Sequence, residues 1–226
     1  GASPVFVRTS GIGPFASAFW RVALALPVLA IWAWIEMRRS PVRIRGRQWR
    51  PIVLAGIFFA GDLIFWHLSI MKTTMANATL MSCLAPVWVL LLSGVAIREP
   101  VPARSFGGLA LCLCGAALLI GSSYAVDSAR MEGDVYGIVT SVFFGLYFLA
   151  LRAARRVHGA GTIAFASSFV TAGVLLLVAM LSRESFLPDT AKGYASLLAL
   201  GLVSHAGGQG LLTFALGALS AAFSSL

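Results

Sequence analysis

Charge is what this sequence has least of. Lys, Arg, Asp and Glu together make up 11% of its 226 residues, against about 25% in a soluble domain. A soluble chain this poor in charge could not cover its own surface, so lipid is the solvent that fits. Cysteine is scarce as well. Cys83, Cys112 and Cys114 all lie inside apolar runs, and two residues apart on a helix point to different faces. No disulfide framework and no metal-ligand spacing results, and the three read as core or lipid-facing residues. His-Glu-x-x-His and Gly-x-Ser-x-Gly are missing, and His67, His158 and His205 are scattered. Membrane-embedded enzyme chemistry is therefore disfavoured, and no catalytic residue, metal or cofactor is predicted.

What is present is apolar sequence. Hydrophobic residues make up 59% of the chain, and its mean hydropathy is +0.90. A membrane-crossing helix needs about 20 such residues. The runs predict helices over Phe15–Met37, Ile52–Met71, Thr74–Ile97, Ser105–Ala125, Val135–Leu151, Ile163–Leu181 and Tyr194–Leu216. Gly1 to Val7 reads as the tail of an earlier helix, and Ala218–Leu226 as the start of a later one, about nine in all. The first residue is Gly rather than Met, and Leu226 falls within an apolar run, so further sequence is expected on both sides.

The net charge of +9 reflects topology and not nucleic-acid binding, because the cations sit in short gaps between runs. With the N-terminal side in the cytoplasm, the cytoplasmic gaps hold Arg38, Arg39, Arg43, Arg45, Arg47, Arg50, Arg98, Arg104, Arg152, Arg155 and Arg156. The opposite gaps hold only Arg8, Lys72, Arg130, Arg183 and Lys192, accompanied by five acids. An excess of cations on one side marks the cytoplasmic face, so this orientation is preferred, and the inner (plasma) membrane is the expected location.

A shift of 146 residues lays Ser69–Leu80 over Ala215–Leu226, with Ala76 on Ala222, Leu80 on Leu226 and Gly61 on Gly207. A shift of 144 lays Gly1–Arg8 over Gly145–Arg152. The implied repeat contains five helices. Five is odd, so the two copies enter the membrane with opposite orientation, the pattern of alternating-access transporters whose site lies near the midplane. The copies are expected at 1–126 and 127–226.

Three stretches then resemble a known family. They are Arg98-Glu99 followed by Gly107, Gly108 and Gly115, Thr73–Leu80 followed by Ala85-Pro86, and Pro14–Arg21. Together they resemble the EamA repeat of the drug/metabolite transporter superfamily. The resemblance implies an all-α, polytopic helix bundle of ten helices in two inverted five-helix halves. It further implies a secondary transporter of small metabolites, with amino acid export as the best single guess. Other metabolites, lipophilic drugs and a non-transporting membrane scaffold are the alternatives. The expected partners are a small-molecule substrate and the lipid bilayer, with no nucleic acid; a monomer fits.

Ionisable and polar side chains inside a bilayer are costly, so each is a candidate. Asp62 is either a proton-linked or amine-binding carboxylate or a packed, hydrogen-bonded one. Trp66, one turn on, shares its face; it stacks on substrate or simply packs. His67 lies on another face of the same helix, where a structural role is the simpler reading. His205 and Gln209 share a face within a glycine-rich stretch, and line a cavity or pack closely. Asn77 and Tyr147 are candidates for ligand contact beside capping and packing. Arg21 reads as a snorkelling anchor. Pro86 is expected to kink its helix and is a candidate gate. Gly133, Gly137, Ser141 and Gly145 recur every fourth residue, a stripe for close helix packing.

Overall fold

The structure is a computed structural model, and it describes residues 7, 11–39, 49–96, 107–111, 114, 115, 117, 118 and 130–217. Among these there is no strand. Six helical spans are long and apolar enough to cross a membrane: Pro14–Arg39, Arg50–Lys72, Met75–Gly94, Met131–Arg155, Ala160–Leu181 and Ala191–Ala215. Each coincides with an apolar run of the sequence to within a few residues, and the chain is a multi-pass membrane protein. Of the remaining runs, Gly1–Val7, Ser105–Ala125 and Ala218–Leu226 lie wholly or largely outside the described residues.

Three spans are continuous α-helices and three are interrupted. The interrupted first span is α1 (Pro14–Ala23) and α2 (Leu26–Arg39). The second is continuous, α3 (Arg50–Lys72), and the third splits into α4 (Met75–Ser82) and α5 (Ala85–Ala96). α6 (Arg130–Arg155) and α7 (Ala160–Leu181) are continuous. The last span is α8 (Ala191–Ala199), a π-helix (Leu200–Gln209) and α9 (Gly210–Ala215).

Proline explains two of the interruptions. A proline has no N–H to give the carbonyl four residues back, and its ring collides with that carbonyl. α1 ends at Ala23, four residues before Pro27, and α4 ends at Ser82, four before Pro86. Each gap is bridged by a tighter bond, Ala25 N–H to Val22 O at 3.1 Å and Leu84 N–H to Met81 O at 3.0 Å. The π-helix has another origin. Glycines at 201, 207 and 208 lower the cost of leaving the α-helical ladder, and π segments cluster at functional sites.

The described residues divide into two compact units, one of those up to Ala60 together with 150–217, and one of those within Gly61–Leu149. In the first, α1 and α2 run along α7, and the π-helix packs on α1. Ala25, Leu29 and Ala164 are buried there beneath Trp32, Phe165 and Ala206. Thr171 Oγ1 donates to the Gly56 carbonyl at 2.8 Å, fastening the start of α3 to α7. In the second unit the glycine stripe does what its spacing predicts. Gly133 lies against Lys72 and Thr73, Gly137 against Met81, and Gly145 against Trp88. Ser69 Oγ donates to Gly133 O at 2.7 Å, and Trp88 Nε1 to Ser141 Oγ at 2.9 Å. Lipid tails are as apolar as leucine, so helices in a bilayer associate through such close approaches and hydrogen bonds. Large apolar side chains serve both sides: Leu63 and Leu175 are buried, whereas Leu181 is 83% exposed and Val203 69%.

Candidate functional site

The polar centre of the first unit is built from three helices. Burying a hydroxyl or imidazole in an apolar medium costs several kcal/mol unless a partner is found. His205, 1% exposed on the π-helix, meets Ser168 of α7. A 2.8 Å hydrogen bond joins His205 Nε2 and Ser168 Oγ, its direction set by the tautomer. The Phe59 ring lies 5.4 Å from the His205 ring, centroid to centroid. His205 Nδ1 is buried with no hydrogen-bond partner among the described residues, as is Ser17 Oγ of α1. Arg21, one turn after Ser17, is buried too. Gly201, one turn before His205, touches Leu24 and the Arg21 carbonyl, which seats the π-helix directly on α1. A buried imidazole nitrogen in reserve, on a ring held by a hydroxyl, can take a hydrogen bond from or give one to a polar solute.

Gln209 stands on the same π-helix, half-buried, and its carbonyl accepts from Thr213 Oγ1 at 2.8 Å. The other candidates belong to the second unit. Asp62 and Trp66 are buried on α3. His67 is fully buried, and its Nδ1–H donates to Leu63 O, one turn back, at 2.6 Å. The Trp66 ring stands edge-on to it at 5.1 Å. Asn77 gives its backbone N–H to Thr74 Oγ1, which caps α4, and its amide group to Asp134 Oδ1 at 3.5 Å. Tyr147 is buried and stacks on Phe144, centroids 6.1 Å apart. Pro86 is buried in the first turn of α5, just after the break at Cys83 and Leu84.

Several participants went unnoticed in the sequence. Asp134 is buried, and Thr73 Oγ1 donates to it at 2.8 Å; its place beside the charged gap made it look like a surface acid. Ser168 has no signal of its own, since serines are common in apolar helices. Pro27 follows the same rule as Pro86, and applying that rule at both positions finds both breaks. Glu36 and Glu184 cap helices distant in sequence. Glu36 takes Gly161 N–H at 3.2 Å and Thr162 N–H at 2.9 Å, while Glu184 takes Ala16 N–H at 2.7 Å.

Residues 1–121 match the family model described as the EamA-like transporter family. The chain belongs to that family. It is 27% identical over 179 residues to the pseudopaline exporter CntI of Pseudomonas aeruginosa, a match covering 77% of this chain and 60% of that protein. The chain thus spans about three-fifths of that relative's length. An uncharacterized transporter of Helicobacter pylori is 22% identical over 225 residues, covering 95% of this chain and 73% of the other. One protein of known crystal structure superposes with a TM-score of 0.65 at 17% identity, over 99% of this chain and 88% of that one. That likeness is one of fold.

Proposed function

We propose that this chain is part of a secondary transporter of the inner membrane that exports small metabolites, amino acids first among them. Membership of the family and a relative named as an exporter support the class and the direction. The observation that carries the reading is the buried pair formed by His205 on the π-helix and Ser168 on α7. Ionisable groups held in a bilayer without a purely structural explanation mark substrate and ion pathways.

The mechanism we assign is alternating access, two inverted five-helix repeats of a ten-helix protein rocking around a midplane site. His205 is the first substrate contact, with Gln209 beside it. Asp62, Trp66 and Tyr147 follow, with Asp62 the candidate for proton coupling. His67 and Asn77 complete the set. Pro86, at a break in its span, is the candidate gate.

The experiment is efflux from liposomes holding the full-length protein, loaded with a panel of radiolabelled amino acids, with and without a pH gradient. Saturable efflux of some members that is lost in His205→Leu is the expected result. Absence of efflux for every amino acid, from folded protein, overturns the amino acid reading.

A further inference from the structure

The first span and α7 exchange caps. The first four N–H groups of a helix have no partner inside it, and a side chain at the N-cap position normally takes one or two of them. Here both N-cap residues are glycines in extended conformation, Gly13 (φ −58°, ψ 152°) and Gly159 (φ −67°, ψ 157°), and neither helix has a cap from its own N-cap side chain.

A carboxylate from the far end of the other helix fills each vacancy. Glu184, three residues beyond α7, accepts from Ala16 N–H at 2.7 Å and also from Phe15 N–H. Glu36, in the last turn of α2, accepts from Gly161 N–H at 3.2 Å, Thr162 N–H at 2.9 Å and Thr162 Oγ1 at 3.1 Å. Counted from each N-cap glycine, the donors are the second and third helical residues in both cases. A Cβ on Gly13 would collide with the Glu184 carboxylate, and one on Gly159 with that of Glu36. Each glycine is the space in which the other helix's carboxylate sits.

The two sites also correspond in sequence. Gly13 and Gly159 are 146 residues apart, and Glu36 and Glu184 are 148 apart. The first is the shift that aligns Ser69–Leu80 with Ala215–Leu226, a stretch that contains neither clasp.

We propose that Glu36 and Glu184 are a symmetry-related pair of positioning residues. Each caps the partner helix, at opposite ends of the antiparallel pair, and together they fix the register of the first span against α7. That register sets Ser168 on α7 relative to Ser17 and Arg21 on α1, and so the surroundings of His205. Local capping would fix each helix by itself; reciprocal capping fixes one against the other. The link to His205 rests on the transport reading, whereas the clasps themselves do not.

The test is hydrogen–deuterium exchange on the full-length protein in lipid nanodiscs, followed in peptides covering 13–20 and 159–166. Glu36→Ala speeds exchange at Gly161 and Thr162 about tenfold, the loss of a typical cap, and leaves Phe15 and Ala16 unchanged. Glu184→Ala does the reverse. Glu36→Gln and Glu184→Gln retain most of the protection, because the amide oxygen still accepts. Gly13→Ala reproduces Glu184→Ala, and Gly159→Ala reproduces Glu36→Ala. A variant that merely misfolds speeds exchange in both peptides together. That result, or no change at the distant helix start, overturns the proposal. Inactive protein that still shows the crosswise pattern counts against the transport reading alone.

Discussion

His67 and His205 are both buried in apolar spans, yet they are held in opposite ways. His67 turns back on its own helix and donates to Leu63 O, one turn earlier. His205 reaches across to Ser168 of α7. A histidine bonded to its own turn keeps that bond however the neighbouring helices sit. A histidine shared between two helices responds to how those helices sit. It also sits in a π segment, where the backbone is less tightly tied to one geometry. Burial alone therefore separates nothing; the address of the partner does.

That comparison can be sharpened by breaking each region in turn. The largest effect expected is steric, in the region that ends the helix of His67. A methyl on Gly133 would lie 2.6 Å from the Thr73 nitrogen, so Gly133→Ala should cost about 1–3 kcal/mol by overpacking. Gly173→Ala on α7 meets nothing within 4 Å and should gain up to about 1 kcal/mol in helix propensity. Thermal melting of the two variants in detergent checks both signs.

Next come the cross-helix hydroxyls. Ser168→Ala leaves a buried imidazole nitrogen without its partner, a loss of about 1–3 kcal/mol. Ser69→Ala removes a hydroxyl from a carbonyl already within a helical ladder, and about 1 kcal/mol is expected. Equal losses in the two melts would remove the distinction between the regions. Trp88→Phe, which gives up the indole bond to Ser141, should also cost about 1 kcal/mol.

The smallest effect is a pH dependence in the first unit. Burial pushes the Glu184 carboxyl above its usual 4.5, against the pull of the Ala16 and Phe15 amides. A raised pKa means the folded state holds the proton more tightly than the unfolded one. The resulting stability is complete below the usual value and lost as pH rises through the folded one. The melting temperature of wild type relative to Glu184→Gln should therefore improve as pH is lowered from 7 toward 4. A difference that is flat or of opposite sign contradicts the assignment.

Much of the fold was legible because lipid imposes a simple rule. Each crossing must be a long apolar helix with its backbone bonds closed internally, so run length alone located the six described spans. The glycine stripe was legible for the same reason: spacing on a helix fixes which residues face a neighbour. The breaks in the spans were only half legible. Pro86 was noticed and Pro27 was not, although the carbonyl conflict is identical. The π-helix was hinted at by its glycines, but hydrogen-bond slippage has no distinct pattern. The candidate site was the least legible. His205 stood out as an imidazole in an apolar run, whereas Ser168 gains its meaning only from a partner 37 residues away. Glu36 was not singled out at all, and Glu184 counted only among the acids of the gaps. Their roles depend on helix starts more than 120 residues distant, which no local pattern encodes.

The measurement that bears most directly on the central claim is amino acid efflux from liposomes by His205→Leu and His67→Leu side by side, normalised to folded protein. The account predicts a loss of at least about tenfold for His205→Leu, the worth of one good hydrogen bond, and efflux within about twofold of wild type for His67→Leu. Efflux that survives His205→Leu and fails in His67→Leu would contradict it.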